Sequence, residues 1–249
     1  MMGGASGFTV ALIGPDGVGK TTIARRLERE FPLPLKYLYM GDNVETSNVM
    51  LPTTRWWKQR QRRRHNGHPT PARPAGAAPR RSRPAAARAL RWPLHASRKS
   101  LGFVNRILEE SYRELVAHAY FRRGTIVLFD RHFVLDFYHF DIDPQAGQRS
   151  LKRRLHGFLL RRLSRVPDLV VCLDAPGEVV FRRKGEFSPE FLEMRRQQYR
   201  EFEHLVQHFE LVNADRDLDV VVEEVARAIT RFHAQHRNGH QEDHGHAAH

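Results

Sequence analysis

Apolar residues along the chain fall into short continuous runs, separated by stretches with a helical rhythm. Five runs read as strands: 8–13 (FTVALI), 35–40 (LKYLYM), 125–130 (TIVLFD), 168–174 (DLVVCLD) and 209–213 (FELVN). Their near-continuous apolar character predicts strands buried on both faces, as in a parallel sheet covered by helices. Between them, 20–31, 101–122 and 188–207 carry helix-length patterns. The last of these opens on Ser188 and Pro189, a cap followed by proline at the first helical position. Leu218, Val221, Val222, Val225, Ile229 and Phe232 recur at helical spacing and predict a final helix. Strands alternating with helices predict an α/β fold: a three-layer sandwich with a parallel five-stranded sheet and helices on both faces.

Two segments break the pattern. Residues 55–98 are rich in Arg, Pro and Ala and poor in large apolar residues. Such a composition cannot offset the entropy of ordering, so 55–99 is expected to be a mostly disordered insertion in a domain formed by 1–54 and 100–232. Trp56, Trp57 and Trp92 at its edges are expected to dock on that domain. The histidine-rich tail 233–249 is polar and expected to be mobile, and its histidines lack the neighbours that a specific metal site needs.

Charge follows the same division. Of 41 Lys and Arg residues, 14 lie between Arg55 and Lys99, where there is no acid; the rest of the chain holds 27 against 28 acids. The net charge of +13 therefore belongs to the insertion and not to the folded part. Arginines and tryptophans there suit contact with a nucleic acid or an anionic surface, or closure over an anionic substrate, although no folded recognition motif accompanies them. The single cysteine, Cys172, can form no internal disulfide and predicts a reduced, cytoplasmic setting. No apolar run is long enough to cross a bilayer.

The chemistry starts at 11–30, ALIGPDGVGKTTIARRLERE. Gly14, Gly19, Lys20 and Thr21 fit G-x-x-x-x-G-K-[ST], after a predicted strand and before a predicted helix. Glycines let successive backbone N–H groups curl towards an anion, and the helix N-terminus adds its positive end. Gly14, Gly17, Val18, Gly19, Lys20, Thr21 and Thr22 are thus the expected ATP-binding residues, with Lys20 on the β- and γ-phosphates and Thr21 on Mg²⁺. Asp130 ends a strand at the carboxyl edge, where ligands of such sheets bind, and can support Mg²⁺. Arg131 beside it can hold an acceptor phosphate. A helix-capping Asp, a surface Arg and a turn-forming Asp are the plain alternatives for Asp130, Arg131 and Asp16.

Taken together, these motifs resemble thymidylate kinases of the P-loop nucleoside-monophosphate-kinase family. GPDGVGKTT resembles the family's phosphate loop, FDRHF (129–133) its D-R-[YH], 167–186 its fourth strand and lid approach, and 212–225 its last strand and base-proximal loop. The resemblance covers 8–31 and 125–232. It implies a kinase using ATP and Mg²⁺, with Asp16 facing the acceptor's sugar and Arg131 holding the acceptor's phosphate. It also implies a lid whose Arg182, Arg183 or Lys184 covers the moving phosphoryl group, because the cradle offers only Val18; that the lid is short here is a departure from the family. Arg196, three residues before Tyr199, matches a further family arginine.

The acceptor-specific parts depart from the family. There is no Arg-Glu-Pro after the second strand, and VLDFYHFDIDP replaces the segment that seats the base. Asp42, Asn43, Asp136, His139, Asp141 and Asp143 fall near the same edge and can read another acceptor. Two alternatives stay open: a kinase of a non-nucleotide metabolite, and a nucleotide-binding module that engages a polyanion through 55–99 without turnover. ATP against GTP and a homodimer are left open as well.

Overall fold

The computed structural model describes residues 7–41, 47–56, 60, 92–143, 147 and 150–246, with backbone alone over 92–101 and 238–246. The chain divides into two compact units, Met1–Val49 with Arg113–His249, and Met50–Tyr112.

The first unit is built on five parallel strands: β1 (Thr9–Ile13), β2 (Leu35–Tyr39), β3 (Ile126–Asp130), β4 (Leu169–Asp174) and β5 (Phe209–Asn213), in the order β2-β3-β1-β4-β5. Ala11 pairs with Phe129 on one side and Val170 on the other, so β1 lies at the centre. Residues alternate between two faces, and both faces are apolar. Val10, Leu12, Leu128, Val171 and Leu173 pack with Ile23 and Leu27 of α1 (Lys20–Glu30) and with Val221, Val225 and Ile229 of α7 (Leu218–His246). Ala11, Ile13, Val127, Phe129, Val170 and Cys172 pack with Ala117 of α2 (Trp92–Phe121), Leu160 of α4 (Leu151–Leu163) and Tyr199 of α6 (Pro189–Arg200). This is why the strands read as continuous apolar runs: helices remove both faces from water. Three layers result.

Local signals explain most helix ends. α1 stops at Phe31, since the following Pro32 disfavours helical backbone in the residue before it. α6 starts as expected, with the Ser188 hydroxyl accepting from the Phe191 N–H at 3.3 Å and Pro189 in the first turn. α3 (Phe133–Phe137) continues into a π-helical turn, Tyr138–Ile142. α5 (Gly177–Lys184) meets α6 through the short connection 185–188, where Gly185 and Phe187 take positive φ.

Two expectations need correction. The tail is not free of structure from residue 233: α7 runs to His246, and the rings of His233 and His236 lie 5.9 and 5.8 Å from that of Phe8. Once its apolar stripe is docked, the helix extends at little cost, because propagation needs no new nucleus. α2 begins at Trp92 and not 101, so the last part of the supposed insertion is helical. The Trp56 side chain is 60% exposed, with the Arg60 guanidinium 5.2 Å from its ring. The remainder of the 55–99 expectation, with Trp57 and the Trp92 side chain, lies outside the described residues.

Within the second unit, the Leu51 N–H donates to the Glu109 carboxylate at 3.1 Å and the side chains of Thr54 and Asn105 bond at 3.2 Å. Among the described residues no helix is long and apolar enough to cross a membrane.

Candidate functional site

At the carboxyl ends of β1 and β3, where the strand order reverses, the first unit opens a cleft of about 660 Å³. The 14–19 loop forms one wall. Gly14, Gly17 and Gly19 have φ of 138°, 100° and 108°, backbone that other residues rarely adopt. Space is as restrictive as torsion: a Cβ on Gly14 would stand 2.5 Å from the Leu173 carbonyl oxygen, and one on Gly17 3.1 Å from Lys184 Cβ. Val18 turns inward and is 2% exposed, a core residue that anchors the loop.

Lys20 and Thr21 open α1 into the cleft. Lys20 Nζ donates to the carbonyls of Gly14 and Pro15 at 2.7 and 2.8 Å and lies 3.8 Å from Asp16. Burial, and next the Arg131 guanidinium, push the Lys20 ammonium below its ordinary value, against the pull of Asp16 and Asp130. The Thr21 hydroxyl donates to Asp130 Oδ2, which also accepts from Tyr37 at 3.4 Å. The other oxygen, Asp130 Oδ1, is buried and has no hydrogen-bond partner among the described residues. A carboxylate oxygen left without a donor beside a hydroxyl is a donor set that fits a hard cation such as Mg²⁺. No cluster of three or more His, Cys, Asp or Glu suited to a metal occurs among the described residues. Mg²⁺ needs none, since it is commonly held by one or two protein oxygens, water and phosphate.

Arg131 follows Asp130 with φ of 70°, a left-handed conformation rare for a side chain of this size. Strain of this kind costs on the order of 1–3 kcal/mol and collects at functional sites. It aims the guanidinium at Asp16, with which it bonds. Asp16 thus faces Arg131 and Lys20. Burial alone would raise its pKa, but Lys20, Arg131, Lys184 and Arg195 together hold it below the ordinary range.

The remaining expected residues divide sharply. Arg183 and Lys184 line the cleft, with Arg183 donating to the Ala214 carbonyl at 2.9 Å and Lys184 paired with Glu186 at 2.9 Å. Arg182, one residue earlier, is exposed and lies outside the lining residues. Arg196 lies outside too, its guanidinium held by both oxygens of Asp174 at 2.6 and 2.8 Å. Asp136 reaches the cleft, whereas Asp141 is bound to His156 at 2.7 Å, and His139 and Asp143 also lie outside. Asp42 and Asn43 fall outside the described residues.

Sequence reasoning missed Arg195, Tyr39 and Phe187, all of which line the cleft. Arg195 donates to the Tyr199 hydroxyl at 2.7 Å, and that hydroxyl donates to Asp136 Oδ1 at 3.1 Å, forming a chain that fixes the carboxylate. Burial pushes the Asp136 pKa up, against Arg131 and Lys20. A signal for Arg195 was available: it sits four residues before Tyr199, one helical turn away on the same face. Arg113 was missed as well. It is buried and donates to the Gly41 carbonyl at 2.7 Å, which pins the chain leaving β2 beside the cleft.

No protein-family model matches this chain, and no curated protein matches it.

Proposed function

We propose that the chain is a phosphotransferase of the nucleoside-monophosphate-kinase type, with a P-loop sandwich as its fold, moving the γ-phosphoryl group of ATP to a small acceptor. One observation carries this reading: Lys20 and Thr21 from the glycine loop, and Asp130 and Arg131 from β3, converge on a single cleft. Lys20 is poised to exchange the Gly14 and Pro15 carbonyls for phosphate oxygens. Thr21 and Asp130 would hold Mg²⁺, which when bound neutralises phosphate charge as the bond breaks. Arg131 would leave Asp16 for an acceptor phosphate, a bidentate partner of the same sign as the carboxylate. Arg183, Lys184 and Arg195 supply further positive charge in the same cleft. Such transfer is positioning and electrostatics, and it needs no nucleophilic side chain.

Asp136 favours a second acceptor class, a small molecule bearing a free hydroxyl. An acceptor phosphate is already ionised and needs no base, whereas an alcohol must lose its proton. Asp136, with a raised pKa and a fixed orientation, can take that proton while the alcohol oxygen bonds to the γ-phosphorus and the bond to the ADP oxygen breaks.

Release of ADP from Mg-ATP by the purified protein tests both, across nucleoside monophosphates, nucleosides and phosphorylated sugars. A rise with nucleoside monophosphates alone favours the first class, and one with hydroxyl acceptors the second. Lys20→Ala is expected to lower turnover by about a hundredfold or more while circular dichroism stays native. A panel without any signal above that variant would overturn the reading.

A further inference from the structure

α4 presents its apolar residues on the wrong side for a core helix. His156, Gly157 and Leu160 face the interior, whereas Leu151, Leu155 and Phe158, one helical stripe, are 82%, 48% and 59% exposed. Leu163 at the helix end and Val166 just beyond it are also about half exposed and lead into a shallow cleft shared with Leu115 of α2. Cations flank the stripe: Lys152, Arg153, Arg154, Arg161, Arg162 and Arg165, with no acid between 150 and 166. Arg153 lies 3.7 Å from Asp141, and Arg161 donates to the Ile142 carbonyl at 3.4 Å, so both guanidiniums are tied down at the foot of the stripe. Glu114 and Asp168 line the shallow cleft, where Asp168 is engaged by Thr9 at 2.7 Å.

We propose that α4 and the 163–166 turn form a docking surface for an anionic lipid bilayer, on which the helix lies in the plane of the headgroups. A stripe of Leu and Phe bounded by Arg and Lys matches both layers of such an interface: apolar side chains enter the acyl boundary, while the cations stay among anionic headgroups. Other occupants satisfy only half of the surface. A nucleic acid would meet the arginines but leave Leu151, Leu155 and Phe158 against a polar backbone. A second copy related by a two-fold axis would bring the same cations face to face. This surface is separate from the nucleotide cleft and does not depend on the activity proposed for it.

The test uses the full chain with an environment-sensitive fluorophore at Leu151→Cys; Cys172, the only native cysteine, is buried and does not compete for label. Vesicles of mixed phosphatidylserine and phosphatidylcholine are expected to shift the emission to the blue, and vesicles of phosphatidylcholine alone are not. Leu155→Ser with Phe158→Ser is expected to weaken sedimentation with the mixed vesicles by roughly tenfold or more, with an unchanged circular dichroism spectrum. The basic 55–99 segment is intact in every variant, so unweakened sedimentation of the double variant would assign any binding to charge elsewhere and overturn the proposal. An absent blue shift would overturn it equally. So would a dimer in the ultracentrifuge that the double variant converts to a monomer, because the stripe would then be a subunit interface.

Discussion

The His132 imidazole is fully buried next to Arg131, its ring 5.2 Å from that of Phe129, and neither nitrogen has a hydrogen-bond partner among the described residues. Burial pulls its pKa down to about 3, from an ordinary value of 6.5. The folded state therefore binds fewer protons than the unfolded state between these values. Stability is fully present above about pH 6.5 and is lost as pH falls towards 3, by up to about 1.4 kcal/mol per pH unit. His132→Leu, similar in size and without the unpaired nitrogens, is expected to flatten the fall of the urea midpoint between pH 6.5 and 4. An unchanged slope would mean that other groups govern the acid limb. At this scale the sequence was legible in placement: motif and strand end together put Lys20, Thr21 and Asp130 at the carboxyl edge of the sheet, where they line one cleft. Between neighbours such as Arg195 and Arg196 it was legible only as far as the one-turn spacing of Arg195 and Tyr199, which does not say which of the two arginines meets the cleft. They differ by one step of helix rotation, which places one in the cleft and the other on Asp174.

The same logic holds for whole elements. Ser188 and Pro189 announced the start of α6, because a cap answers to purely local orphan N–H groups. Ser188→Ala removes the bond to the Phe191 N–H and is expected to cost about 1 kcal/mol in urea unfolding, with the native circular dichroism spectrum unchanged. A larger loss would mean that the hydroxyl also braces the 185–188 connection beside the cleft. The start of α2 and the end of α7 were not legible in the same way. Pro93 suits a first helical turn, yet the surrounding Arg- and Ala-rich composition hid the boundary at Trp92. Beyond Phe232 the apolar stripe ends, but helix continues wherever the backbone finds no reason to stop.

At the scale of the whole molecule, Cys172 is a natural probe of the fold. It lies on β4, beside the central strand, and burial, then the Asp174 carboxylate, push its thiol up to about 12. In the native protein at pH 8 it is expected to stay unreactive towards a disulfide reagent, and unfolding in urea should release one thiol per chain. Native-state labelling as fast as that of the unfolded chain would mean that β4 opens locally. The apolar runs by themselves determined that there would be five strands, that both faces of the sheet would be covered, and that a glycine loop would join β1 to α1. These follow from short-range periodicity and backbone torsion, which one stretch of chain contains. Only the tertiary structure decided the order β2-β3-β1-β4-β5, and so which loops meet. It brought Asp130 onto Thr21 and Arg131 onto Asp16 across more than a hundred residues, joined Arg195, Tyr199 and Asp136 into one chain, and left the Leu151 stripe facing outward. Such contacts depend on how distant elements pack, and no local pattern records which face of a helix the core will take.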